Sequence, residues 1–480
     1  MQILCTIRSA VNESRPINRL PLELFEKVIE GRESERDLVA ATQVCRRWRS
    51  ILISTTKLWT NVDFEHPSRA SVYLDRSKTT PVDITIGKTR DCVVGAVGAL
   101  IGSIPWVSRM KSLRIETDMD QIKSIAEKLR HAAPELQSLT FEGKRRPYSY
   151  TSYGQVQGGA IFVPYDFLGR HAPKLESMTF HTVSPSVVFT FPLPRLTHID
   201  WVADQAHVVI EELLNLFVSS PLLEVVKVHA LIRRTQTYKP LIDVTLNKLR
   251  RFDWADCDGS LSPLPSLTAP ELRDLAIKVT RHPQYQQTNL STVLPRNASQ
   301  FPLLLEPKIV KYTCEQGVRS FQLGYDGISF LSVREVSKER NANYEIRNWF
   351  SQPTPLSFGT TLSLGIEATG GRLLPGDVPI EQFVSLETLE LIGETAGFVP
   401  LIKLDRGMSG NLSLVPCPDL KEIRIVPKEN LFNLDQLAQV LGERRKAGYR
   451  GVKTVRLMGK YKYLLSEIRE LREVVDQVIT

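Results

Sequence analysis

Apolar residues between positions 17 and 64 recur every three or four positions, a period that predicts a compact group of helices. The first helix is expected to contain Leu24, Phe25, Val28 and Ile29 behind Pro21, because proline is tolerated in the first turn of a helix. The stretch holds more apolar residues than so short a segment needs for its own core. This surplus indicates a surface that docks onto a partner.

A second apolar stretch, from Ser34 to Leu52, predicts one further helix. Its apolar residues are Leu38, Ala41, Val44, Cys45, Trp48, Ile51 and Leu52. Arg46, Arg47 and Arg49 would then lie late in that helix, where cations suit the negative end of the helix dipole. On periodicity alone, an ordinary helical subdomain with its own core explains the pattern equally well.

The order and spacing of these landmarks resemble an F-box. In chain order they are Leu20, Pro21, Glu23, Leu24, Val28, Ile29, Leu38, Val44, Cys45, Arg46, Trp48, Arg49, Leu58 and Trp59. The resemblance implies that residues 16–64 form an all-α module, after a tail of residues 1–15, and that this module binds the Skp adaptor of cullin–RING ubiquitin ligases. Carried over by position, the adaptor-binding residues are Leu20, Pro21, Leu24, Ile29, Leu38, Val44, Cys45 and Trp48, with Trp59 as a brace. Residues 73–78 and 81–86 resemble the helix and first repeat strand of fungal F-box proteins.

Beyond the module, the pattern apolar-x-x-apolar-x-apolar recurs, often with a proline two residues before its first position. Clear copies begin at Met110, Leu136, Leu175, Leu196, Leu223, Leu249, Leu272, Leu386, Leu420 and Val452, and weaker ones at Val318 and Thr361. In each copy, positions four and six are expected on the buried face of a short strand, while position one closes a turn. Helical patterns lie between copies, as at residues 120–131 and 206–218.

Strand–helix pairs of this kind are too thin to bury their own apolar faces, so they must stack. The pattern resembles a leucine-rich repeat. We therefore expect residues 65–480 to form an α/β solenoid, an irregular leucine-rich-repeat-like horseshoe with parallel strands, preceded by the F-box module. A conventional α/β domain is the alternative.

The residue between positions four and six of each copy is expected to face solvent. These residues form a row: Arg114, Thr140, Thr179, Asp200, Lys227, Asp253, Ala276, Glu390, Arg424 and Arg456. Their mixed charge predicts a polar surface for recognising a protein substrate. A solvated face without a binding role is the alternative for any single residue.

Catalytic and metal-binding patterns are absent from the sequence. The six cysteines include no C-x-x-C pair and the eight histidines form no H-x-H or H-x-x-x-H unit, so neither a zinc site nor a disulfide framework is predicted. Gly87-Lys88-Thr89 lacks the earlier glycine of a phosphate-binding loop. We expect no catalytic residue, no cofactor and no metal.

The net charge of +8 mildly favours acidic partners, but its basic residues are distributed and lack the aromatic interleaving of a nucleic-acid groove. The first residues do not resemble a signal peptide, and no segment is apolar enough to span a bilayer. These features predict a protein of the cytoplasm or nucleus that binds neither nucleic acid nor membrane.

Together the features predict a non-catalytic substrate-recognition subunit of a Skp–cullin–F-box ubiquitin ligase. It would act by proximity, holding an unidentified protein substrate near the conjugating enzyme. The first alternative is an interaction scaffold that binds the Skp adaptor without cullin-dependent ubiquitination. An unrecognised enzyme in the solenoid body is a third reading. The substrate's modification state and the oligomeric state are not specified by the sequence.

Overall fold

The computed structural model divides the chain into two compact units, unit 1 up to Leu193 and unit 2 from Pro194 onward. The structure describes residues 11, 14–31, 35–87, 106–144, 166–181, 191–233, 242–256, 262–281, 300–304, 307–315, 318–325, 328–337, 359–369, 382–393, 417–427, 433–449, 451–458 and 465–480. Among these residues, no helix is both long and apolar enough to cross a membrane.

Unit 1 begins with three short helices. They are α1 (Leu22–Glu30), α2 (Glu35–Val44) and α3 (Arg46–Ser54). Pro21 directly precedes α1 rather than lying within its first turn. The single helix predicted from Ser34, a residue outside the described part, to Leu52 is wrong, because Cys45 adopts an extended conformation (φ −157°, ψ 167°) that separates α2 from α3.

A parallel sheet follows the helices of unit 1. Its elements are β1 (Asn61–Asp63), α4 (Pro67–Ser77), β2 (Val82–Ile86), β3 (Met110–Asp118), α5 (Met119–Ala126), β4 (Ser138–Lys144) and β5 (Ser177–His181). The strands pair in chain order, and every pair is parallel. The boundary predicted after residue 64 therefore falls inside unit 1, where β1 pairs with β2.

Unit 2 opens with four further parallel strands. Its first elements are β6 (His198–Val209), α6 (Ile210–Ser219), β7 (Val225–Arg233), β9 (Arg251–Asp256) and β11 (Asp274–Arg281), with the separate short pair β8 (Val244–Thr245) and β10 (Leu267–Thr268). The order is β6-β7-β9-β11. The helix predicted at residues 206–218 begins four residues late, because β6 continues to Val209.

An antiparallel meander interrupts this series. It consists of β12 (Ile309–Glu315), β13 (Val318–Tyr325) and β14 (Ile328–Ser337). The last of the three strands, β14, pairs with β11, and the chain order is thus reversed across the sheet. The weak repeat at Val318 lies on β13, which is antiparallel to both its neighbours, so the expectation of uniformly parallel strands is wrong there.

Parallel pairing resumes beyond the meander. The remaining elements are β15 (Ser363–Thr369), β16 (Thr388–Gly393), β17 (Glu422–Val426), α7 (Leu434–Lys446), β18 (Thr454–Leu457), α8 (Leu465–Val474) and β19 (Gln477–Ile479). β15 pairs with β12, and the later strands follow in chain order. The protein is thus an N-terminal helical module followed by an α/β region of mainly parallel strands.

The repeat pattern predicts the buried positions correctly. Positions one, four and six of every clear copy are buried, and each copy's positions four and six lie on a strand. In most copies the first apolar residue donates its backbone N–H to the carbonyl three residues earlier, as Leu136 does to Ala133 and Leu223 to Ser220. The recurring proline is the second residue of this four-residue turn, where its fixed φ is favourable.

Candidate functional site

The helices of unit 1 surround a small core that fixes the orientation of their surfaces. Phe25 from α1, Leu38 from α2 and Leu52 from α3 are buried, as is Trp59 in the 3₁₀ turn that follows. The Trp59 indole Nε1 donates a hydrogen bond to the Leu52 carbonyl (2.8 Å), and its ring packs edge-on against Tyr73. This core buries only some of the apolar side chains of the module.

One face of α1 remains exposed although it is apolar. Leu24 is 49% exposed and Val28, one turn later, is 56% exposed, while Pro21 precedes them on the same side. Residues at i, i+3 and i+7 share a helix face, so these three form a stripe. Burying this stripe against a partner would remove apolar surface from water, which favours association.

A second exposed apolar residue lies at the end of α2. Val44 is 58% exposed, and Cys45 beside it is half-buried. The extended backbone at Cys45 ends α2 at Val44 and separates it from α3. The break therefore presents Val44 outward instead of continuing a buried helical stripe.

Trp48 is held rigidly at the edge of the module's core. Its ring packs edge-on against Phe25, with centroids 4.9 Å apart, and its Nε1 donates a hydrogen bond to Asn18 Oδ1. Part of the side chain remains accessible. A fixed, partly exposed tryptophan has the character of an interface anchor.

The remaining predicted adaptor-binding residues divide into two groups. Leu20 and Ile29 are half-buried and retain accessible surface. Leu38 and Trp59 are 0% exposed, so they support the module from within and present no surface to a partner in this conformation. Leu38 is therefore a core residue here. The brace expected of Trp59 agrees with its contacts.

Three exposed apolar residues of the module were not among the predicted contacts. They are Ile17, Leu22 and Val28. Val28 could have been found from the sequence, since it follows Leu24 by one helical turn. Ile17 and Leu22 carry no such signal, because their exposure depends on the 3₁₀ turn Pro16–Arg19 and on the start of α1.

Charges around the module differ in how they are compensated. Lys57 forms ion pairs with Glu26 (3.0 Å) and Glu30 (2.9 Å). The hydrogen bond from Lys57 lowers the pKa of Glu26, and the hydrogen bond to Glu30 raises the pKa of Lys57. By contrast, the arginines at the start of α3 are exposed and pair with no described residue.

The module is joined directly to the sheet of unit 1. Val62 in β1 pairs with Ile84 in β2, and Phe64 donates its N–H to the Thr85 carbonyl (2.9 Å). The Arg76 guanidinium lies over the Trp59 ring, 4.3 Å from its centroid.

Arg109, just before β3, strengthens this joint. Its guanidinium donates to the carbonyls of Leu74 (2.9 Å) and Thr80 (2.8 Å) and to Ser77 Oγ (2.8 Å), closing the end of α4. Burial lowers the pKa of this arginine. Arg109 thus ties α4, which packs against Trp59 through Tyr73 and Arg76, to the start of β3.

Within each unit, the residues of the row predicted as a substrate-binding surface lie in register on neighbouring strands. Unit 1 aligns Arg114, Thr140 and Thr179. Unit 2 aligns Asp200, Lys227, Asp253 and Ala276, and beyond the meander Glu390, Arg424 and Arg456. Within unit 2, Ala276 and Glu390 are connected in register across the meander through Ser332, Gln322, Lys311 and Gly365.

Most charges of this row are paired within the sheet. Arg114 binds Glu116 and Glu142, and Lys227 lies 3.4 Å from Asp200. Glu422 accepts hydrogen bonds from Arg424 and Arg456, of which the Arg424 bond contributes most to lowering the pKa of this carboxyl.

Asp253 departs from the expected solvent-facing position. It is only 8% exposed, and its Oδ2 accepts hydrogen bonds from Arg251 Nη2 (2.9 Å) and Nε (3.1 Å). This hydrogen bond raises the pKa of Arg251. Burial lowers the pKa of the neighbouring His229. The negative charge of Asp253 acts in the opposite direction and partly offsets this shift of the His229 pKa. Asp253 thus makes its contacts within the sheet and leaves little surface accessible to a ligand.

Among the described residues, no group of three or more histidine, cysteine, aspartate or glutamate side chains could hold a metal ion. The described surfaces carry exposed apolar side chains on the helices and charged side chains on the sheets.

Comparison with known proteins supports the assignment of the N-terminal module. Residues 17–65 match the model of the F-box-like family, a span that ends just after β1. No curated protein is significantly similar to the chain. The module that carries the exposed stripe on α1, Val44 and Trp48 is an F-box-like domain, and F-box domains typically bind Skp-type adaptors.

Proposed function

We propose that this protein is a non-catalytic substrate-recognition subunit of a Skp–cullin–F-box ubiquitin ligase. The F-box-like domain would bind the Skp adaptor and, through it, a cullin–RING ligase. The α/β region, as an irregular leucine-rich-repeat-like solenoid, would hold a protein substrate for ubiquitination in the cytoplasm or nucleus. The fungal type suggested by residues 73–86 belongs to the same proposal.

The observation that carries the proposal is the exposed apolar surface within the matched segment. Leu24, Val28 and Val44 are each about half exposed, and all three lie inside residues 17–65. A domain whose helices leave large apolar side chains in water is built to bury them against a partner. The family match supports a Skp-type adaptor as that partner.

The joint between module and sheet supports the receptor reading over a loosely tethered binding module. Pairing of β1 with β2 and the Arg109 hydrogen bonds leave no flexible linker between the F-box-like domain and the sheet of unit 1. A stiff connection favours transfer by proximity, because it keeps the bound partner within a restricted volume. No catalytic residue in this chain is required.

The test is reconstitution of the full-length protein with purified Skp adaptor, cullin and RING subunit, followed by size-exclusion chromatography. We expect one complex that contains all four proteins. Elution with the adaptor but without cullin would instead establish the interaction scaffold. Failure to bind the adaptor would overturn the proposal.

A further inference from the structure

Three arginines of the F-box-like domain have no oppositely charged partner among the described residues. Arg46, Arg47 and Arg49 are exposed and form no ion pair or side-chain hydrogen bond with any described residue. From Gln43 to Ser50 the sequence contains these three cations and no acidic residue. With respect to the described residues, these three side chains form a compact positive patch without a compensating negative charge.

The position of the patch does not serve the stability of its helix. Because α3 begins at Arg46, the three side chains lie in its first turn, at the positive end of the helix dipole. Acidic residues are favoured at that end and cations are disfavoured. The preceding residue, Cys45, also provides no side-chain cap. Stability of α3 therefore favours other residues at these positions.

The patch is continuous in sequence with the apolar surface of the domain. Val44, the most exposed of its large apolar residues, immediately precedes Cys45 and Arg46, and the partly exposed Trp48 lies between Arg47 and Arg49. A partner that covers Val44 and Trp48 must approach the arginines closely. Desolvation of unpaired cations is costly, so a tightly bound partner must supply opposite charges there.

From this arrangement we infer that Arg46, Arg47 and Arg49 form an electrostatic docking patch for a carboxylate-bearing segment of the Skp adaptor. The inference rests on the proposed function, since it names the chemistry of the adaptor at the same interface. The apolar residues supply the buried contact, and the arginines steer the encounter and align the two proteins. Opposite charges across an interface raise the association rate and make it dependent on salt.

The test measures the Kd and the association rate of the full-length protein for the purified adaptor at about 50 mM and about 500 mM salt. The R46E/R47E/R49E variant is expected to bind at least about 30-fold more weakly at low salt, mainly through slower association, and within about threefold of the wild type at high salt. The R46K/R47K/R49K variant should retain most of the affinity because it keeps the charge.

The matched control is K248E/R250E/R273E, which reverses three exposed cations of unit 2 and changes the net charge by the same amount. We expect it to bind the adaptor like the wild type. The melting temperature of R46E/R47E/R49E should equal or exceed that of the wild type, because glutamates suit the first turn of α3. A weaker complex with an intact fold then identifies an interface effect.

Two results would overturn the inference while leaving the proposed function in place. One is unchanged affinity of R46E/R47E/R49E at low salt; the other is an equal loss in the unit 2 control, which would indicate a general effect of net charge. If the wild type binds no adaptor at either salt concentration, both the proposed function and the inference that depends on it are wrong.

Discussion

The F-box-like domain and the outward faces of the sheets differ in whether their surface side chains have partners among the described residues. The domain leaves Leu24, Val28 and Val44 half exposed, and its arginines at the start of α3 pair with no residue that the structure describes. On the sheets, the charges of the outward row are largely compensated by neighbouring residues, as Lys227 is by Asp200. Burial of the first surface against a partner is favourable in free energy, whereas burial of the second contributes little to binding.

The difference indicates where tight binding resides. Burial of apolar surface contributes roughly 25 cal/mol per Å², so a few half-exposed aliphatic side chains can anchor an interface. Exposed ion pairs contribute about 0–1 kcal/mol each, and a ligand must compete with the existing partner of each charge. We therefore expect adaptor binding to depend on a few residues and substrate binding to be spread over many.

The largest effect is expected from charges placed in the α1 stripe. L24D/V28D should weaken adaptor binding by at least about 100-fold, or about 2.7 kcal/mol, because two carboxylates would be desolvated where apolar contact is lost. Isothermal titration calorimetry with the full-length protein measures this loss. Substitution of Trp48 is less suitable, because its contacts with Phe25 and Asn18 make it part of the fold.

The control for the stripe is V218D. Val218 on α6 is 54% exposed, similar to Val28, but lies outside the F-box-like domain. This variant should bind the adaptor like the wild type. If L24D/V28D kept wild-type affinity while remaining folded, the adaptor contact would not be on this face of α1, and the contrast between the two surfaces would lose its functional meaning.

The next effect tests the joint between the domain and its sheet. R109A should destabilise the protein by about 2–4 kcal/mol, because it removes three hydrogen bonds and leaves the Thr80 carbonyl without its side-chain donor, while the Leu74 carbonyl keeps Ser77 Oγ as a donor. Urea unfolding followed by tryptophan fluorescence is the measurement. R109K retains the charge but cannot make all three hydrogen bonds, so it should fall between R109A and the wild type; a neutral R109A would refute the role of the joint.

The sequence predicted the buried faces better than the exposed ones. Leu139 and Phe141 in β4, and their counterparts in the other clear copies, are buried as expected, because the two-residue period of a strand specifies its inward face. The same logic failed at Asp253, which is covered although its position alternates outward. Its burial depends on Arg251 and on neighbouring strands, which no local pattern encodes.

Two features of the fold required tertiary information. The helix break at Cys45 lies inside an unbroken helical pattern and moves the arginines from the expected end of one helix to the beginning of another. The reversed order of β12, β13 and β14 is also invisible in a repeat pattern, because strand order depends on pairing between distant segments. The surplus of apolar residues in the domain was predicted, but the division between Leu38 inside and Val28 outside was not.

A smaller effect is expected where the sheet face is most compensated. D253A should destabilise the protein by about 1–2 kcal/mol, because Arg251 loses the acceptor of two hydrogen bonds at a largely buried position. D200A, which removes a half-exposed carboxylate 3.4 Å from Lys227, should cost less than about 0.5 kcal/mol. Equal costs measured by urea unfolding would show that burial does not distinguish these two carboxylates.

Another small effect concerns the dependence of stability on pH beyond the meander. Glu422 has its pKa lowered below its ordinary value near 4.5, first by the hydrogen bond from Arg424. A lowered pKa in the folded state stabilises the fold above the unfolded value, and this contribution is lost as pH falls through the folded pKa. E422Q should therefore be less stable than the wild type at pH 7, by less than about 1 kcal/mol, because the side chains of both arginines are partly exposed.

The direction of this pH dependence tests whether Arg424 and Arg456 stabilise the ionised form of Glu422. The stability difference between wild type and E422Q should shrink as the pH is lowered below 4.5, because protonated Glu422 then resembles glutamine. E470Q provides the control, since Glu470 is exposed on α8 and forms no ion pair with described residues. A difference that stays constant with pH would show that the two arginines do not hold Glu422 ionised, and that the sheet face is less self-compensated than its geometry indicates.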